Sequence, residues 1–278
     1  MLITYPDRRY GIFLCFNPHL LKTLIEIKPL QNLKATVTVP GSKSYTNRAL
    51  LIAGLTDGEC RLEKPLVSDD TKYMIQALKA FGVPVREEEG AFIVSGKGGK
   101  LCAPDNDIFI GNAGTAMRFL TTFSTLAPGK VRLDGDERMH ERPLADLLDC
   151  LTQMGIHAVS VNDNGCPPID IKGGEVPGGD VQLAGDKSSQ YLTSILLSAP
   201  YFKNDTCVHI QGDLTSKSYA DITLDIMKTF GVHVENESYQ HFKVITGDHY
   251  KAQTYQVESD WSSASYFLAA AAVTGGEV

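Results

Sequence analysis

The chain has 278 residues, of which 43% are hydrophobic and 21% are charged, with a formal net charge of −7. This length allows about two ordinary domains. The acidic balance argues against a nucleic-acid partner, because a phosphate backbone requires a broad basic field. No apolar run approaches the ~20 residues of a membrane span, so we expect no membrane partner and a cytoplasmic location.

The six cysteines are widely scattered, with no C-x-x-C pair and no histidine at a recognised metal-ligand spacing. This pattern predicts reduced structural thiols rather than a disulfide framework or a zinc site. The cysteines are Cys15, Cys60, Cys102, Cys150, Cys166 and Cys207.

The first 23 residues carry no motif, and two short strands are expected at residues 24–27 and 35–39. The stretch P-G-S-K-S-Y-T-N-R-A-L-L follows from Pro40, with a helix predicted from about Tyr45. Lys43 then lies among the unpaired N–H groups of a helix N-terminus, which favours phosphate or carboxylate binding. A Ser-capped helix with solvated charges remains the alternative for this stretch taken alone.

From Gly41 onward the chain repeats one pattern three times: an amphipathic helix, a glycine, and a β-hairpin that ends on another glycine. The helix-ending Gly82, Gly155 and Gly231 recur at intervals of 73 and 76 residues. Glycine is the expected residue after a last helical turn. The predicted unit is strand, helix, strand, helix and hairpin, so the fold class is α/β (α+β) with repeated βαβαββ units.

Each unit also opens with a helix that has a polar start, and a fourth such helix begins near Trp261. The chain stops at Val278, barely one helix into a fourth unit. We therefore expect the sequence to be a fragment of a longer protein.

Five polar clusters fall at equivalent edges of the repeats, where they predict a common surface that binds small anionic ligands. His140 is interpreted as an exposed bystander, and Asp69–Asp70 as a helix N-cap. The clusters are Lys43/Ser44/Arg48; Asn112/Gly114/Thr115/Arg118; Arg138/Arg142; Lys187/Ser188/Ser189/Gln190; and Ser216/Lys217/Tyr219.

These motifs resemble those of the 5-enolpyruvylshikimate-3-phosphate synthase family, the 3-phosphoshikimate 1-carboxyvinyltransferases of aromatic amino-acid biosynthesis in the shikimate pathway. The resemblance runs from about Leu24 to Val278 and includes P-G-S-K-S-x-x-N-R-A-L, G-N-A-G-T-A-M-R, R-M-x-E-R-P, S-S-Q-x-L-T, S-K-x-Y and D-x-S-S-A-S-Y-F-L. It implies two domains of three units each, with the active site between them. On this basis residues 39–257 are a complete domain, 24–38 and 258–278 belong to a split, incomplete domain, and 1–23 are an extension of unknown role.

The resemblance also implies two substrate subsites and a catalytic role for Lys43. Shikimate 3-phosphate is expected to contact Lys43, Ser44, Arg48, Ser188, Ser189, Gln190, Ser216 and Tyr219. Phosphoenolpyruvate is expected to contact Lys43, Asn112, Gly114, Arg142 and Gln190.

The implied reaction transfers an enolpyruvyl group to the shikimate 5-hydroxyl and releases phosphate, with no cofactor or metal, in a protein that is a monomer when full length. The family's proton-transfer residues would follow Val278, so we expect no turnover from the isolated chain. Gly114 leaves room for the herbicide glyphosate, whereas Phe119 replaces a proline common in relatives. The alternatives are a UDP-sugar enolpyruvyl transferase, which usually carries a different first motif, and a non-catalytic phosphoshikimate-binding module.

Overall fold

The computed structural model describes residues 31–278, and the strand predicted at residues 24–27 lies outside them. Within the described residues the chain forms seven α-helices and twelve β-strands. The helices are α1 Lys43–Leu55, α2 Asp69–Ala80, α3 Gly114–Phe123, α4 Ala145–Gln153, α5 Ser189–Ser198, α6 Lys217–Thr229 and α7 Trp261–Thr274. The strands are β1 Asp57–Glu63, β2 Val85–Glu88, β3 Ala91–Lys97, β4 Ile108–Phe109, β5 Gly129–Asp134, β6 His157–Ser160, β7 Ile169–Gly173, β8 Gly179–Ala184, β9 Thr206–Gln211, β10 Val234–Glu237, β11 His241–Val244 and β12 Thr254–Gln256.

The strands form three four-stranded sheets, in the orders β12-β1-β3-β2, β4-β5-β7-β6 and β8-β9-β11-β10. In every sheet the first pair is parallel and the other two pairs are antiparallel. The structure thus confirms the mixed α/β class, and the predicted repeat appears as three equivalent sheets.

One predicted strand is wrong. Residues 35–39 form no strand and are mostly exposed. The edge beside β1 is instead occupied by β12, in parallel register with Arg61 opposite Thr254. The leading strand of the first unit therefore comes from the end of the third unit, because a strand requires a neighbour with which to pair its backbone groups. The sequence repeat alone does not reveal this closure.

The helices divide into two kinds, according to how much of their surface is buried. In α1, α3 and α5 nearly every residue after the first turn is buried, whereas α2, α4 and α6 each bury only about one face. A helix that is apolar on all sides belongs in a core, and an amphipathic one covers it. The core is therefore formed around α1, α3 and α5.

The helix boundaries follow local sequence signals. Gly82, Gly155 and Gly231 have φ values of +81°, +77° and +90° directly after α2, α4 and α6, the left-handed conformation that ends a helix at low cost for glycine. The start of α2 differs from prediction. Ser68 is its N-cap, and Asp69 and Asp70 lie in the first turn. The Ser68 side chain accepts the otherwise unpaired backbone N–H of Thr71, and the two residues form a capping box.

Residues 38–264 form one compact unit, and the described residues 31–37 and 265–278 belong to a second. In the second unit, Lys34 forms an isolated bridge with Glu277. None of the helices between residues 31 and 278 is long and apolar enough to cross a membrane.

Candidate anion-binding site

Four helices of residues 38–264 have their N-termini close together. Side-chain hydrogen bonds join Arg118 of α3 to Gln190 of α5 at 3.0 Å, and Thr122 to Ser194 at 2.7 Å. From the first bond to the second, the position increases by four residues in both helices, so α3 and α5 run parallel. Arg48 of α1 contacts the fifth residue of α5 and the third residue of α6. The amino ends of α1, α3, α5 and α6 therefore form one region, which we call the N-terminal cluster.

Several first-turn N–H groups of this cluster carry no side-chain cap. The N-cap residues of α1, α3 and α6 form no capping hydrogen bond. Ser216, which precedes α6, has a left-handed φ of +54°. At α5, by contrast, Ser188 Oγ accepts a hydrogen bond from Gln190 N at 3.2 Å. Unpaired N–H groups and aligned helix dipoles together favour an anion here.

Arg48 is the most deeply buried cation of the cluster, with 1% of its surface exposed. Its Nε donates to Thr223 Oγ1 at 2.9 Å, and its Nη2 donates to Thr193 Oγ1 and Tyr219 O at 3.3 and 3.1 Å. Its Nη1 donates to Ser44 O at 2.9 Å. These bonds use four of the five guanidinium N–H groups.

None of the partners of Arg48 is a carboxylate. Desolvation by burial consequently lowers its pKa to about 10. The described ion pairs of arginine involve Arg61, Arg86 and Arg132. The charges of the three cluster arginines, Arg48, Arg118 and Arg142, are therefore not neutralised within residues 31–278.

Lys43 lies in the first turn of α1 and is about half exposed, with its Nζ 3.3 Å from Asp70 Oδ2. An exposed ion pair of this kind is worth only about 0.2–1 kcal/mol. Lys43 can therefore exchange its carboxylate partner for a ligand anion at low cost. Asp70, predicted to be a helix cap, is instead the counter-ion of this lysine.

Gly114 begins α3 beneath two guanidinium groups. A Cβ atom placed on Gly114 would overlap Arg142 Nη1 and would lie 3.0 Å from Arg118 Nη1. The absence of a side chain therefore allows both arginines to approach the first turn. Arg118 also donates to Gly114 O at 3.2 Å and lies over the Tyr191 ring, 5.7 Å from its centroid.

Arg118 Nε is buried and has no hydrogen-bond partner among the described residues. Its Nη1 donates a hydrogen bond to the Gln190 side-chain oxygen. The Gln190 amide nitrogen lies on the other side, 3.5 Å from Thr115 Oγ1. This buried donor lies beside the predicted phosphoenolpyruvate residues Gly114 and Gln190.

The predicted site residues near this cluster differ in how much of their surface is exposed. Asn112, Ser216 and Tyr219 are exposed, whereas Ser189 is buried. Ser44 and Ser188 are intermediate. The exposed side chains can contact a ligand directly, whereas Ser189, the first residue of α5, can offer a ligand its first-turn backbone N–H.

Other polar residues of the sequence motifs are paired outside this set. His140 Nε2 lies 2.7 Å from Asp134 Oδ1, and Lys187 Nζ lies 3.3 Å from Asp186 Oδ2. Lys217 Nζ lies over the Tyr239 ring, 5.4 Å from its centroid. The motif pattern placed Lys187 and Lys217 in the common anion-binding surface, but the structure pairs both with neighbouring side chains. His140, interpreted as an exposed bystander, is instead half-buried and paired with Asp134.

Three supporting residues were absent from the predicted site: Asp70, Thr193 and Thr223. The two threonine hydroxyls lie 2.8 Å apart and both contact the Arg48 guanidinium. A threonine on the buried face of a helix was the available signal, although many such threonines only bond to their own backbone.

Comparisons with known proteins give one family for most of the chain. The family model described as EPSP synthase (3-phosphoshikimate 1-carboxyvinyltransferase) matches residues 27–278. A 3-phosphoshikimate 1-carboxyvinyltransferase of Sulfurovum sp. is 46% identical over 258 residues, covering 91% of this chain and 60% of the relative. One of Shewanella baltica is 43% identical over 258 residues, covering 91% and 61%.

A solved EPSP synthase structure from Acinetobacter baumannii is similar to this chain with a TM-score of 0.78 and 28% identity. That similarity covers 88% of this chain and 54% of the solved one. The chain thus spans about 60% of the length of the curated relatives it matches.

Proposed function

Because the chain belongs to the EPSP synthase family, we propose that it serves the transfer of an enolpyruvyl group from phosphoenolpyruvate to the 5-hydroxyl of shikimate 3-phosphate, with release of phosphate. Its substrates are two small anions, and we place the reaction in the cytoplasm, as part of aromatic amino-acid biosynthesis.

The observation that carries this proposal is the uncompensated charge of the N-terminal cluster. Only 1% of the surface of Arg48 is exposed, and none of its hydrogen-bond partners is a carboxylate. A buried cation without a negatively charged partner is costly for the free protein. A phosphate or carboxylate ligand would lower that cost, so the cluster favours anionic substrates before any specific contact is counted.

We assign shikimate 3-phosphate to the side of the cluster formed by α1, α5 and α6. The hydroxyls of Ser188 and Ser216 precede two helix N-termini, where a phosphate would receive backbone N–H groups. Tyr219 is 40% exposed and offers a ring face to the substrate ring. The proposed contacts are Lys43, Ser44, Arg48, Ser188, Ser189, Gln190, Ser216 and Tyr219.

We assign phosphoenolpyruvate to the side formed by α3 and the segment before α4. Arg142 and Gly114 lie against each other there, so a planar guanidinium can bind a carboxylate in two parallel hydrogen bonds above a helix N-terminus. The proposed contacts are Lys43, Asn112, Gly114, Arg142 and Gln190.

In the proposed reaction, the methylene carbon of phosphoenolpyruvate takes a proton and the adjacent carbon becomes electrophilic. The 5-hydroxyl adds there and loses its proton. The tetrahedral adduct then loses a proton from its new methyl group and expels phosphate, which re-forms the double bond. Lys43 is shared by the two subsites, so its ammonium would hold both substrates in reactive geometry and stabilise the charge of the departing phosphate. The proposed residues of this chain provide binding, orientation and charge for that reaction.

We further propose that residues 39–257 act as the shikimate 3-phosphate half-site. A calorimetric titration of the 278-residue chain tests this, with shikimate 3-phosphate and UDP-N-acetylglucosamine as competing candidate ligands. We expect saturable binding of the first alone, weakened at least about tenfold by Lys43→Ala or Ser188→Ala, since one lost contact to a charged ligand is worth about 1.5–3 kcal/mol. Lys172→Ala, which removes an exposed lysine of β7, is the control.

Two results would contradict the proposal. Preferential binding of the UDP-sugar would favour the sister transferase. Equal weakening by Lys172→Ala would mean that general electrostatic attraction, rather than the N-terminal cluster, holds the ligand.

A further inference from the structure

The outer face of the third sheet carries a cluster of metal-ligating side chains away from the N-terminal cluster. Asp180 of β8, Cys207 and His209 of β9, and His241 of β11 all point to this face, because alternate residues of a strand share one side. The intervening residues Val208, Phe242 and others are buried. Register places Asp180 opposite Cys207, and His209 opposite His241.

We propose that Asp180, Cys207 and His209, with His241 as the fourth ligand, bind a divalent transition-metal ion, most favourably Zn²⁺. The described residues contain one group of three or more such side chains whose ligand atoms all lie within 4.8 Å, namely Asp180, Cys207 and His209. Tetrahedral zinc with bonds of about 2.0–2.3 Å requires ligand atoms closer together than this. Small rotamer changes on an open sheet face can supply the difference.

The two histidines are already in contact. His209 Nδ1 lies 2.8 Å from His241 Nδ1, and His209 Nε2 lies 3.1 Å from Asp180 Oδ1. If the neutral His209 ring donates Nε2–H to the carboxylate, its Nδ1 lone pair accepts the Nδ1–H of His241. In this arrangement the free lone pair of the two rings is at His241 Nε2, and the Nδ1 lone pair of His209 becomes available to a metal ion when its contact with His241 opens.

The surroundings also suit a cation. A shallow depression of about 280 Å³ is lined by Cys207, His209, His241, Lys243, Glu235 and Glu237. Lys243 opposes a metal ion by charge, but its Nζ is turned to within 3.8 Å of Asp205. The two glutamates and Asp180 leave the face with an excess of negative charge. The mixed nitrogen, sulfur and oxygen donors favour zinc over the harder magnesium or calcium.

The cysteine count of the sequence does not predict this site, because its ligands come from three strands. Cys207 and His209 are separated by a single residue, a spacing that fits no common zinc motif in a turn or helix. In a strand the same spacing puts both side chains on one face. The proposal is independent of the substrate assignment above.

The test is a titration of the metal-free 278-residue chain with Zn²⁺ alone, followed by Co²⁺ as a spectroscopic substitute. We expect one ion per chain and a thiolate-to-cobalt charge-transfer absorption that disappears in Cys207→Ser. We expect His209→Ala to weaken zinc at least about tenfold, the loss typical of changes around a metal. Cys102→Ser and His157→Ala remove an exposed thiol and an exposed imidazole elsewhere, and both should bind as the parent does.

The proposal is overturned if the Cys207→Ser/His209→Ala double variant binds zinc as tightly as the parent, or if Cys15→Ser or His19→Ala removes the ion. Circular dichroism of each metal-free variant must match that of the parent, so that lost binding is not lost folding. Titrating shikimate 3-phosphate into the same samples separates the two proposals. Zinc-site variants should leave that titration unchanged.

Discussion

Replacing Arg48 with methionine tests whether the buried cation serves ligand binding rather than stability. The change removes four hydrogen bonds donated by the guanidinium. If these bonds served mainly to stabilise the fold, their full free energy would be lost. At about 1.5–3 kcal/mol for each bond to a charged group, that loss would exceed about 6 kcal/mol and unfold an ordinary domain.

The local hydrogen bonds argue for a much smaller cost. Thr193 and Thr223 stay bonded to each other at 2.8 Å, and Thr223 still donates to Tyr219 O at 2.9 Å. Of the four acceptors, only Ser44 O keeps no side-chain hydrogen bond among the described residues, at a cost of about 1–3 kcal/mol. Removal of an unpaired buried charge, and a methionine of suitable length in its place, offsets that cost. We therefore expect the free energy of unfolding to change by less than about 2 kcal/mol.

Urea denaturation of Arg48→Met and calorimetry with shikimate 3-phosphate measure the two effects separately. At an effective dielectric of about 20, a charge about 4 Å from an anion contributes about 4 kcal/mol, or nearly a thousandfold in affinity. Arg86→Met, which removes an exposed arginine paired with Glu59, should change neither quantity much. Destabilisation by more than about 4 kcal/mol, or unchanged affinity, would refute the reasoning.

Three further predictions follow from contacts of the described residues. Asp70→Asn frees Lys43 from its 3.3 Å ion pair, so calorimetry should show anion affinity raised by up to about fivefold; a lower affinity would contradict this. Gly114→Ala places a methyl group against the Arg142 guanidinium and should weaken phosphoenolpyruvate, measured by intrinsic fluorescence, more than shikimate 3-phosphate; equal weakening would count against separate subsites. The hydrogen bond from Arg132 lowers the pKa of Asp170 to about 2 from 3.8. The stability that ionised Asp170 contributes is therefore complete above pH 3.8 and is lost as the pH falls through 2. Asp170→Asn should therefore destabilise the chain in urea at pH 6 and much less at pH 2.

The repeat pattern predicted most of the fold, because it depends on local signals. Helix-ending glycines and the periodicity of apolar residues fix each helix and hairpin within a few residues, independently of the rest of the chain. The closure of the first sheet could not be predicted this way. β12 pairs with β1, which lies almost two hundred residues earlier in the chain. The three residues of β12, with one half-buried tyrosine, are too few to show the alternation that predicts a strand.

The sequence predicted which polar residues lie near helix N-termini but not the electrostatics of the cluster. Motif positions identified Lys43 and Gly114 at helix N-termini, where the structure has them. The depth of Arg48, its contact with two threonines and the ion pair of Lys43 with Asp70 depend on how different helices pack. Sequence spacing within one helix carries no information about such contacts.

The most direct test of the account is a crystal structure of the 278-residue chain soaked with shikimate 3-phosphate. The account predicts the phosphate within hydrogen-bond distance of the first turn of α5 and of Ser216, with Lys43 turned from Asp70 toward the ligand. A ligand bound elsewhere, with the N-terminal cluster unchanged, would contradict the assignment of this cluster as the substrate half-site.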